Sequence, residues 1–140
     1  MKYALIPMLL LACCVARVST VNAAEETKAA AAAPRYADID HKDLLKLIAD
    51  KKVFLLDCNG SETFKTGHLP GAVDFESKSA DLAKTLPADK DALIVAYCGS
   101  VYCPAYKNGA DAAAKLGYTN IKHYPGGLAG WQESGEKLEK

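Results

Sequence analysis

The sequence has no excess of charge, no long apolar run and no CxxC pair, and each absence excludes a class of function. Its 140 residues carry 17 Lys and Arg against 17 Asp and Glu, which is not the charge pattern of a protein that binds nucleic acid or an anionic membrane. No apolar run reaches the roughly 20 residues of a membrane-spanning helix. Without CxxC spacing the cysteines do not form the pattern of a zinc site, and we predict no metal and no other cofactor.

The first 23 residues have the pattern of a secretory signal peptide. A positive start at Lys2 precedes a short apolar stretch and a small-residue cleavage site that ends at Ala23. We therefore predict a protein of the periplasm of a Gram-negative bacterium, or a secreted one, with no transmembrane segment in the mature chain. The residues up to Cys13 also resemble a bacterial lipobox, so a lipoprotein is the alternative. Arg17 and the later small-residue site favour ordinary cleavage.

The mature chain would have room for one domain with a core. Residues 24–35 are Ala-rich without apolar periodicity and are interpreted as a flexible linker, so the predicted domain is 36–137. Its cysteines are Cys58, Cys98 and Cys103. Because three cysteines cannot all pair within one chain, at least one is free unless chains crosslink. A free thiol in an oxidising compartment usually has a chemical role.

Apolar runs alternate with helical patterns along this domain. Residues 53–56 and 93–97 are wholly apolar, which is typical of strands buried on both faces. Shorter strands are predicted at 36–39, 72–75 and 121–124, and helices after Asp40, at 82–86, from Pro104 to Leu116 and around Trp131. The alternation predicts an α/β fold with a parallel sheet between helices.

Cys98 is the strongest candidate for a reactive group. It follows an apolar strand and precedes a short turn that leads into a helix, where backbone N–H groups converge and favour a thiolate over a thiol. Cys58 also follows a strand directly. Since ligand sites of parallel sheets lie at the carboxyl ends of the strands, both cysteines are expected at the functional edge.

Four sequence blocks resemble the rhodanese (sulfurtransferase) family in order and spacing. They are LLD at 55–57, GHLPGAVDF at 67–75, IVAYC at 94–98 with a six-residue loop, and LGYTNIKHYPGGLAGW at 116–131. The resemblance covers about residues 36–136. It implies a five-stranded parallel sheet flanked by helices on both faces, with Cys98 as the sulfur acceptor. A small donor such as thiosulfate, a polysulfide or a persulfide would leave a persulfide on Cys98, which a thiol acceptor then removes.

The loop after Cys98 fits this chemistry without a metal. Its backbone N–H groups are expected to surround the sulfur and to stabilise both the thiolate and the persulfide anion. Side-chain hydrogen bonds from Ser100 and Tyr102 could add to this. The predicted substrate-binding residues are Gly99, Ser100, Val101 and Tyr102, joined at the end of the loop by Cys103.

Two positions depart from the family pattern. The loop has no cationic residue, the nearest being Lys107, and Asn59 stands where the family usually has an arginine. Missing positive charge weakens the attraction for a dianion, so efficient use of thiosulfate is in doubt. A phosphatase is disfavoured as well, because it needs an arginine to bind the phosphate.

Cys103 closes the loop that Cys98 opens and is predicted to be a resolving thiol. Its attack on a Cys98 persulfide would expel sulfide and leave a disulfide; Cys58 is the rival for this role. The alternative function is a rhodanese-fold redox-sensing or partner-binding module with a Cys98–Cys103 disulfide switch. The sequence does not decide between these, and it does not predict the oligomeric state.

Several polar and aromatic residues are assigned structural parts. Asp57 is expected to anchor its loop, and the resemblance gives His68 the part of holding its turn by hydrogen bonds. Cys58 is either a small buried residue or the rival resolving thiol. Tyr97 and Trp131 are expected to pack in the core or at its rim. His41 and His123 are expected on the surface, without a role.

Overall fold

Five short parallel strands form the central sheet in the spatial order β1-β5-β4-β2-β3. The computed structural model describes residues 36–140, so the predicted signal peptide, Cys13 and the linker lie outside the described residues. The strands are β1 (Ala37–Asp38), β2 (Phe54–Asp57), β3 (Val73–Asp74), β4 (Ile94–Tyr97) and β5 (Ile121–His123). The helices are α1 (His41–Ala49), α2 (Ser61–Thr66), α3 (Phe75–Lys78), α4 (Leu82–Thr85), α5 (Tyr106–Lys115) and α6 (Gly127–Glu133), with a 3-10 turn at Ser79–Asp81.

The two wholly apolar runs form strands, as predicted, and these strands lie side by side inside the sheet. Strands β2 and β4 pair in parallel from Phe54 opposite Ile94 to Asp57 opposite Tyr97. Every residue of β4 is buried, because helices cover both of its faces. This is why the strand shows no alternation of polar and apolar residues.

The sheet separates two apolar clusters. On one face Leu56 and Ala96 pack with Ala110 and Ala113 of α5 and with Leu82 of α4. On the other face Leu55, Val95 and Tyr97 pack with Leu44 of α1 and Trp131 of α6. The prediction of a five-stranded parallel sheet with helices on both faces is therefore confirmed.

The ends of the two longest helices follow local chemistry. Asp40 precedes α1, and its carboxylate accepts a hydrogen bond from the backbone N–H of Asp43, which satisfies one of the free donors of the first turn. Gly117 follows α5 with a φ of +91°, a left-handed conformation that glycine adopts without strain. Helix α5 begins at Tyr106, two residues later than predicted.

The helices α2 and α3 were not predicted. They contain six and four residues, which is too short to show the helical period of apolar residues. Within residues 36–140, no helix has the length and apolar character needed to cross a membrane.

Candidate active site

Cys58 and Cys98 lie side by side at the carboxyl edge of the sheet. Each follows the last residue of its strand, and the backbone N–H of Cys58 donates to the Tyr97 carbonyl at 2.9 Å, continuing the ladder between β2 and β4. The three cysteines among the described residues are all free thiols. The sequence thus placed two of the candidate residues at the correct edge.

The loop that begins at Cys98 is held by the start of α6. The N–H groups of Leu128 and Ala129 donate to the carbonyls of Cys98 and Gly99, each at 3.0 Å. Gly127 has a φ of +58°, and a Cβ on it would lie 2.3 Å from the Cys98 carbonyl oxygen. The GG pair of the last sequence block therefore allows α6 to approach the cysteine loop closely.

The Cys98 thiol is buried beneath this loop, with 1% of the residue exposed. Its sulfur donates to the carbonyl oxygen of Cys103 at 2.9 Å, and the Cys103 side chain is close enough to affect its pKa. The backbone N–H groups of Gly99 and Tyr106 also reach the Cys98 sulfur and favour its anion. The site thus has two main-chain donors and a second thiol.

The expected ring of N–H groups differs from the structure in two residues: Cys103 does not contribute its N–H, and Tyr106, which was not expected, does. The N–H of Cys103 donates to the Ser100 carbonyl at 3.0 Å, so it is used within the turn. The N–H of Tyr106 contributes instead, because α5 begins there and the first N–H groups of a helix have no partner within it. The sequence did indicate a helix after the loop, which could have pointed to this N–H group. The predicted start of that helix was two residues too early, so Tyr106 was missed.

The acidity of the two thiols also differs from the expectation. Burial and the hydrogen bond with Cys103 raise the pKa of Cys98 to about 11. Burial opposes ionisation of Cys103 as well, but its hydrogen bonds with the Cys98 thiol and with the N–H groups of Gly99 and Ala105 lower its pKa. Two neighbouring thiols share one favourable site for a negative charge. In the resting protein Cys98 is therefore the thiol, and Cys103 is the more acidic sulfur.

The tip of the loop is open to solvent. Val101 is 62% exposed and Tyr102 is 93% exposed. Both border a cavity of about 420 Å³ that Cys103, Tyr106 and Lys107 also line. Binding of substrate by Gly99, Ser100, Val101 and Tyr102 stays a prediction.

Cys58 packs against helix α5. Its sulfur lies 3.9 Å from the carbonyl oxygens of Leu56 and Tyr106, and a Cβ on Gly109 would lie 2.6 Å from that sulfur. Burial raises the pKa of Cys58 to about 12. A thiolate is therefore strongly disfavoured at this position.

Asp57 is fully buried and joins three parts of the structure. Its carboxylate accepts from the Tyr97 hydroxyl at 2.5 Å and from the backbone N–H and the side-chain amide of Asn59, both at 2.8 Å. The same Tyr97 hydroxyl accepts from the N–H of Leu69 at 3.0 Å. These bonds fix the residues after β2. Tyr97 lies in the core, as predicted, but the hydrogen bonds of its hydroxyl were not predicted.

His68 lies in its turn and contacts Phe64 and Glu139, which are outside the cysteine loop. Its Nδ1 lies 3.0 Å from the Phe64 carbonyl oxygen, and its ring stacks on Phe64 with a centroid separation of 3.7 Å. Its backbone pairs with Glu139. These contacts hold the turn between α2 and β3.

The expectation that His123 lies on the surface is wrong. Only 6% of the residue is exposed; its Nδ1 lies 2.9 Å from Asp38, and its ring stacks on Tyr106 with centroids 3.5 Å apart. His123 shares its face of β5 with the buried Ile121, so the two-residue period of the strand was a signal for its burial. His41, on α1, is half-buried and lies 3.0 Å from the Tyr124 hydroxyl.

The described residues contain no cluster of three or more His, Cys, Asp or Glu side chains that could hold a metal ion.

Comparison with known families identifies the domain that contains these residues. Residues 40–134 match the rhodanese-like domain. The chain belongs to the rhodanese-like family. The matched range lies within the predicted domain, and it includes both cysteines of the loop.

Three known proteins illustrate the relationships of this rhodanese-like chain. It is 31% identical over 103 residues to an HTH-type transcriptional regulator of Mycobacterium tuberculosis, covering 73% of this chain and 44% of that one. The fold is shared with SseA from Escherichia coli, described with the 3-mercaptopyruvate sulfotransferases (TM-score 0.62, 20% identity, 75% of this chain and 50% of that one). It is also shared with the human single-domain sulfurtransferase TSTD1 (TM-score 0.58, 21% identity, 73% and 97%).

This rhodanese-like chain thus spans less than half the length of the regulator that it resembles. Its own loop has no Lys or Arg between Cys98 and Cys103. Lys107 reaches the same cavity from the first turns of α5.

Proposed function

We propose that the protein is a sulfurtransferase that carries sulfane sulfur as a persulfide on Cys98. The observation that carries the proposal is the placement of the Cys98 sulfur between the N–H groups of Gly99 and Tyr106 and the sulfur of Cys103. The two N–H groups would stabilise a persulfide anion, as main-chain donors do for other anions in buried sites. The second sulfur supplies a place for the Cys98 proton.

Loading of sulfur begins with transfer of that proton. The Cys98 thiol gives its proton to solvent, or to Cys103 where that side chain is ionised, and the Cys98 thiolate attacks the outer sulfur of the donor. With thiosulfate, the bond between the two donor sulfurs breaks and sulfite leaves with the bonding electrons. The product is the Cys98 persulfide beside a protonated Cys103.

The Cys98 persulfide can react in two ways. A thiol acceptor can attack the outer sulfur, which forms an acceptor persulfide and restores the Cys98 thiolate. Alternatively, the Cys103 thiol attacks the inner sulfur, a disulfide forms between the two cysteines, and hydrosulfide leaves with the Cys103 proton. An external thiol then reduces the disulfide by two successive exchanges.

Organic persulfides, whose persulfide group carries at most one negative charge, are favoured as donors over thiosulfate and over the dianionic inorganic polysulfides. The loop supplies no fixed positive charge, and Lys107 lies beyond it on α5. An opposite charge close to a bound dianion contributes a few kcal/mol at an effective dielectric constant of about 20. We expect slow loading from thiosulfate and faster loading from a donor with a smaller charge.

Intact-mass measurement after incubation with thiosulfate or a polysulfide tests the proposal. The expected result is the gain of one sulfur, lost in Cys98→Ser and retained in the matched variant Cys58→Ser. The absence of any sulfur adduct with both donors would contradict it.

The second candidate function is a redox-sensing module. The interaction between the thiols of Cys98 and Cys103 supports it. The match to part of a transcriptional regulator from Mycobacterium tuberculosis supports a regulatory role but says nothing of redox sensing. Ready disulfide formation without any sulfur adduct would favour it. Because Cys103 sits at the other end of the same short loop, Cys103→Ser should abolish that disulfide and Cys58→Ser should not.

We also propose that the domain works outside the cytoplasm, after removal of residues 1–23. The signal-peptide pattern of the sequence supports this proposal. Determination of the mature N-terminus from the producing cell tests it, and modification of Cys13 by lipid would decide for the lipoprotein alternative.

A further inference from the structure

The cavity beside the cysteine loop is lined by Cys103 and not by Cys98. Cys103 is half-buried and borders this cavity of about 420 Å³, whose volume is that of a site for a small molecule. Cys98 is 1% exposed and is not among the residues that line the cavity. A small molecule that enters the cavity therefore reaches Cys103 before Cys98.

The surroundings of the two sulfurs favour the same order of reaction. Burial opposes ionisation of Cys103, but its hydrogen bonds with the Cys98 thiol and with two backbone N–H groups lower its pKa. Burial and the hydrogen bond with Cys103 raise the pKa of Cys98 to about 11. Because the thiolate is the attacking form of a cysteine, Cys103 is the more reactive sulfur towards a molecule in the cavity.

Cys98 is held where it can react with Cys103 in a second step. Its thiol donates to the Cys103 carbonyl oxygen at 2.9 Å, and the two thiols interact with each other. The hydrogen bond from the Cys103 N–H to the Ser100 carbonyl, at 3.0 Å, closes the turn between them. Cys98 thus lies beside Cys103 without being part of the cavity wall.

We propose that the reduced protein reacts with small disulfides, with Cys103 as the attacking thiol and Cys98 as the thiol that resolves the mixed disulfide. The two cysteines therefore exchange, for this class of substrate, the parts that they have in the sulfur chemistry. The reaction needs no persulfide on Cys98 and goes beyond the proposed function. It produces the Cys98–Cys103 disulfide that the redox-sensing candidate requires, and it adds the class of oxidant and the order of attack.

The reaction is an exchange in two steps. The Cys103 thiolate attacks one sulfur of the small disulfide, a mixed disulfide forms on Cys103, and one small thiolate leaves. Cys98 then loses its proton to solvent and attacks the Cys103 sulfur, which expels the second small thiolate and leaves the Cys98–Cys103 disulfide. The two cysteines are oxidised by two electrons and the small disulfide is reduced to two thiols, which take up two protons from solvent.

Trapping of the mixed disulfide tests the order of attack. The probe is 2-hydroxyethyl disulfide, which is small and uncharged, and the products are measured by intact mass and peptide mapping. Cys98→Ser removes the resolving thiol and keeps a hydrogen-bond donor at residue 98, so it should accumulate one adduct on Cys103. The unchanged protein should instead form the internal disulfide and lose the adduct.

The reciprocal variant Cys103→Ser measures the reactivity of Cys98. A thiol with a pKa raised by two units has about 100-fold less thiolate at neutral pH, and the higher nucleophilicity of that thiolate recovers about tenfold. We therefore expect the adduct on Cys98 to form at least about tenfold more slowly than the adduct on Cys103 in Cys98→Ser.

The matched control is Cys58→Ser. The Cys58 sulfur packs 3.9 Å from the Tyr106 carbonyl oxygen, and burial raises its pKa to about 12. Its removal should leave the rate of internal disulfide formation unchanged, and no adduct should map to Cys58 in either of the other variants.

Two outcomes would overturn the inference. One is an adduct on Cys98 in Cys103→Ser that forms as fast as the adduct on Cys103 in Cys98→Ser; the other is the absence of an adduct in Cys98→Ser. Circular dichroism checks that each variant is folded, and Cys98→Ala and Cys103→Ala repeat the comparison if a serine variant is not. Sulfur loading of Cys98 is measured in a separate reaction, so a failure of this inference leaves the proposed function standing.

Discussion

Gly127 lies so close to Cys98 that a single methyl group at residue 127 would overlap the Cys98 carbonyl oxygen. A Cβ there would be 2.3 Å from that oxygen and 2.9 Å from the backbone nitrogen of Ser100. This contact ties the geometry of the cysteine loop to the position of α6. The loop is thus shaped by a residue almost thirty positions further along the chain.

Replacement of Gly127 by Ala should disturb the loop. The φ of +58° alone disfavours alanine by about 1–2 kcal/mol, and the overlap should push α6 away from the two carbonyls that it holds. We expect a lower melting temperature and slower sulfur loading of Cys98. In the control Gly130→Ala, the added Cβ would lie 3.7 Å from the Tyr124 hydroxyl, which is an ordinary contact, so both properties should change little.

Iodoacetamide should alkylate Cys103 before Cys98 near neutral pH. Hydrogen bonds lower the pKa of Cys103 against the effect of burial, and the thiolate is the reactive form. Removal of the Cys98 donor in Cys98→Ala should raise the pKa of Cys103 and shift its alkylation profile to higher pH. Peptide mapping over a pH series measures both effects; Cys98 reacting first would contradict the assignment.

The protein should lose stability in alkaline solution. Burial raises the pKa of Cys58 from 9.0 to about 12 and, with the Cys103 contact, that of Cys98 from 9.0 to about 11. Above pH 9 the unfolded chain therefore releases protons that the folded chain keeps. The free energy of unfolding should fall as pH rises from 9, by up to about 1.4 kcal/mol per pH unit for each retained proton.

Urea denaturation of Cys58→Ala over this pH range checks the assignment. The variant lacks one of the two raised thiols, so its free energy of unfolding should fall less steeply above pH 9. An unchanged slope would show that Cys58 does not retain its proton in the folded protein.

Removal of the Tyr97 hydroxyl should destabilise the fold. In Tyr97→Phe the buried carboxylate of Asp57 loses a donor and the N–H of Leu69 loses its acceptor, which costs about 1–3 kcal/mol. Tyr102→Phe is the matched control, because the residue is 93% exposed and surface changes usually stay within about 0.5 kcal/mol. Equal stability of the two variants in urea would contradict the role of Tyr97.

The sheet could be predicted from the sequence because buried parallel strands have a simple signature. The runs at 53–56 and 93–97, which became most of β2 and β4, are apolar throughout. Because the two strands are parallel, the cysteines that follow them share one edge. The chemistry at that edge was harder to predict. The acidity order of Cys98 and Cys103 depends on their burial and on the hydrogen bonds around each sulfur, and a sequence does not specify those contacts.

His123 shows a different limit. Its partner Asp38 is 85 positions away in the sequence and lies on the strand that pairs with β5. The burial of His123 could be predicted from the two-residue period of the strand, but its pairing requires the strand order. The sequence motifs therefore could not predict the cavity that this pair and the cysteine loop line.

The close packing of Cys58 on Gly109 has a consequence for evolution within the family. The two residues compete for one small volume, with 2.6 Å between the sulfur and the place of a Cβ. Homologues that carry a larger residue at the position of Gly109 should therefore carry glycine or alanine at that of Cys58. The two alignment columns would vary together even though they are separated by half the domain.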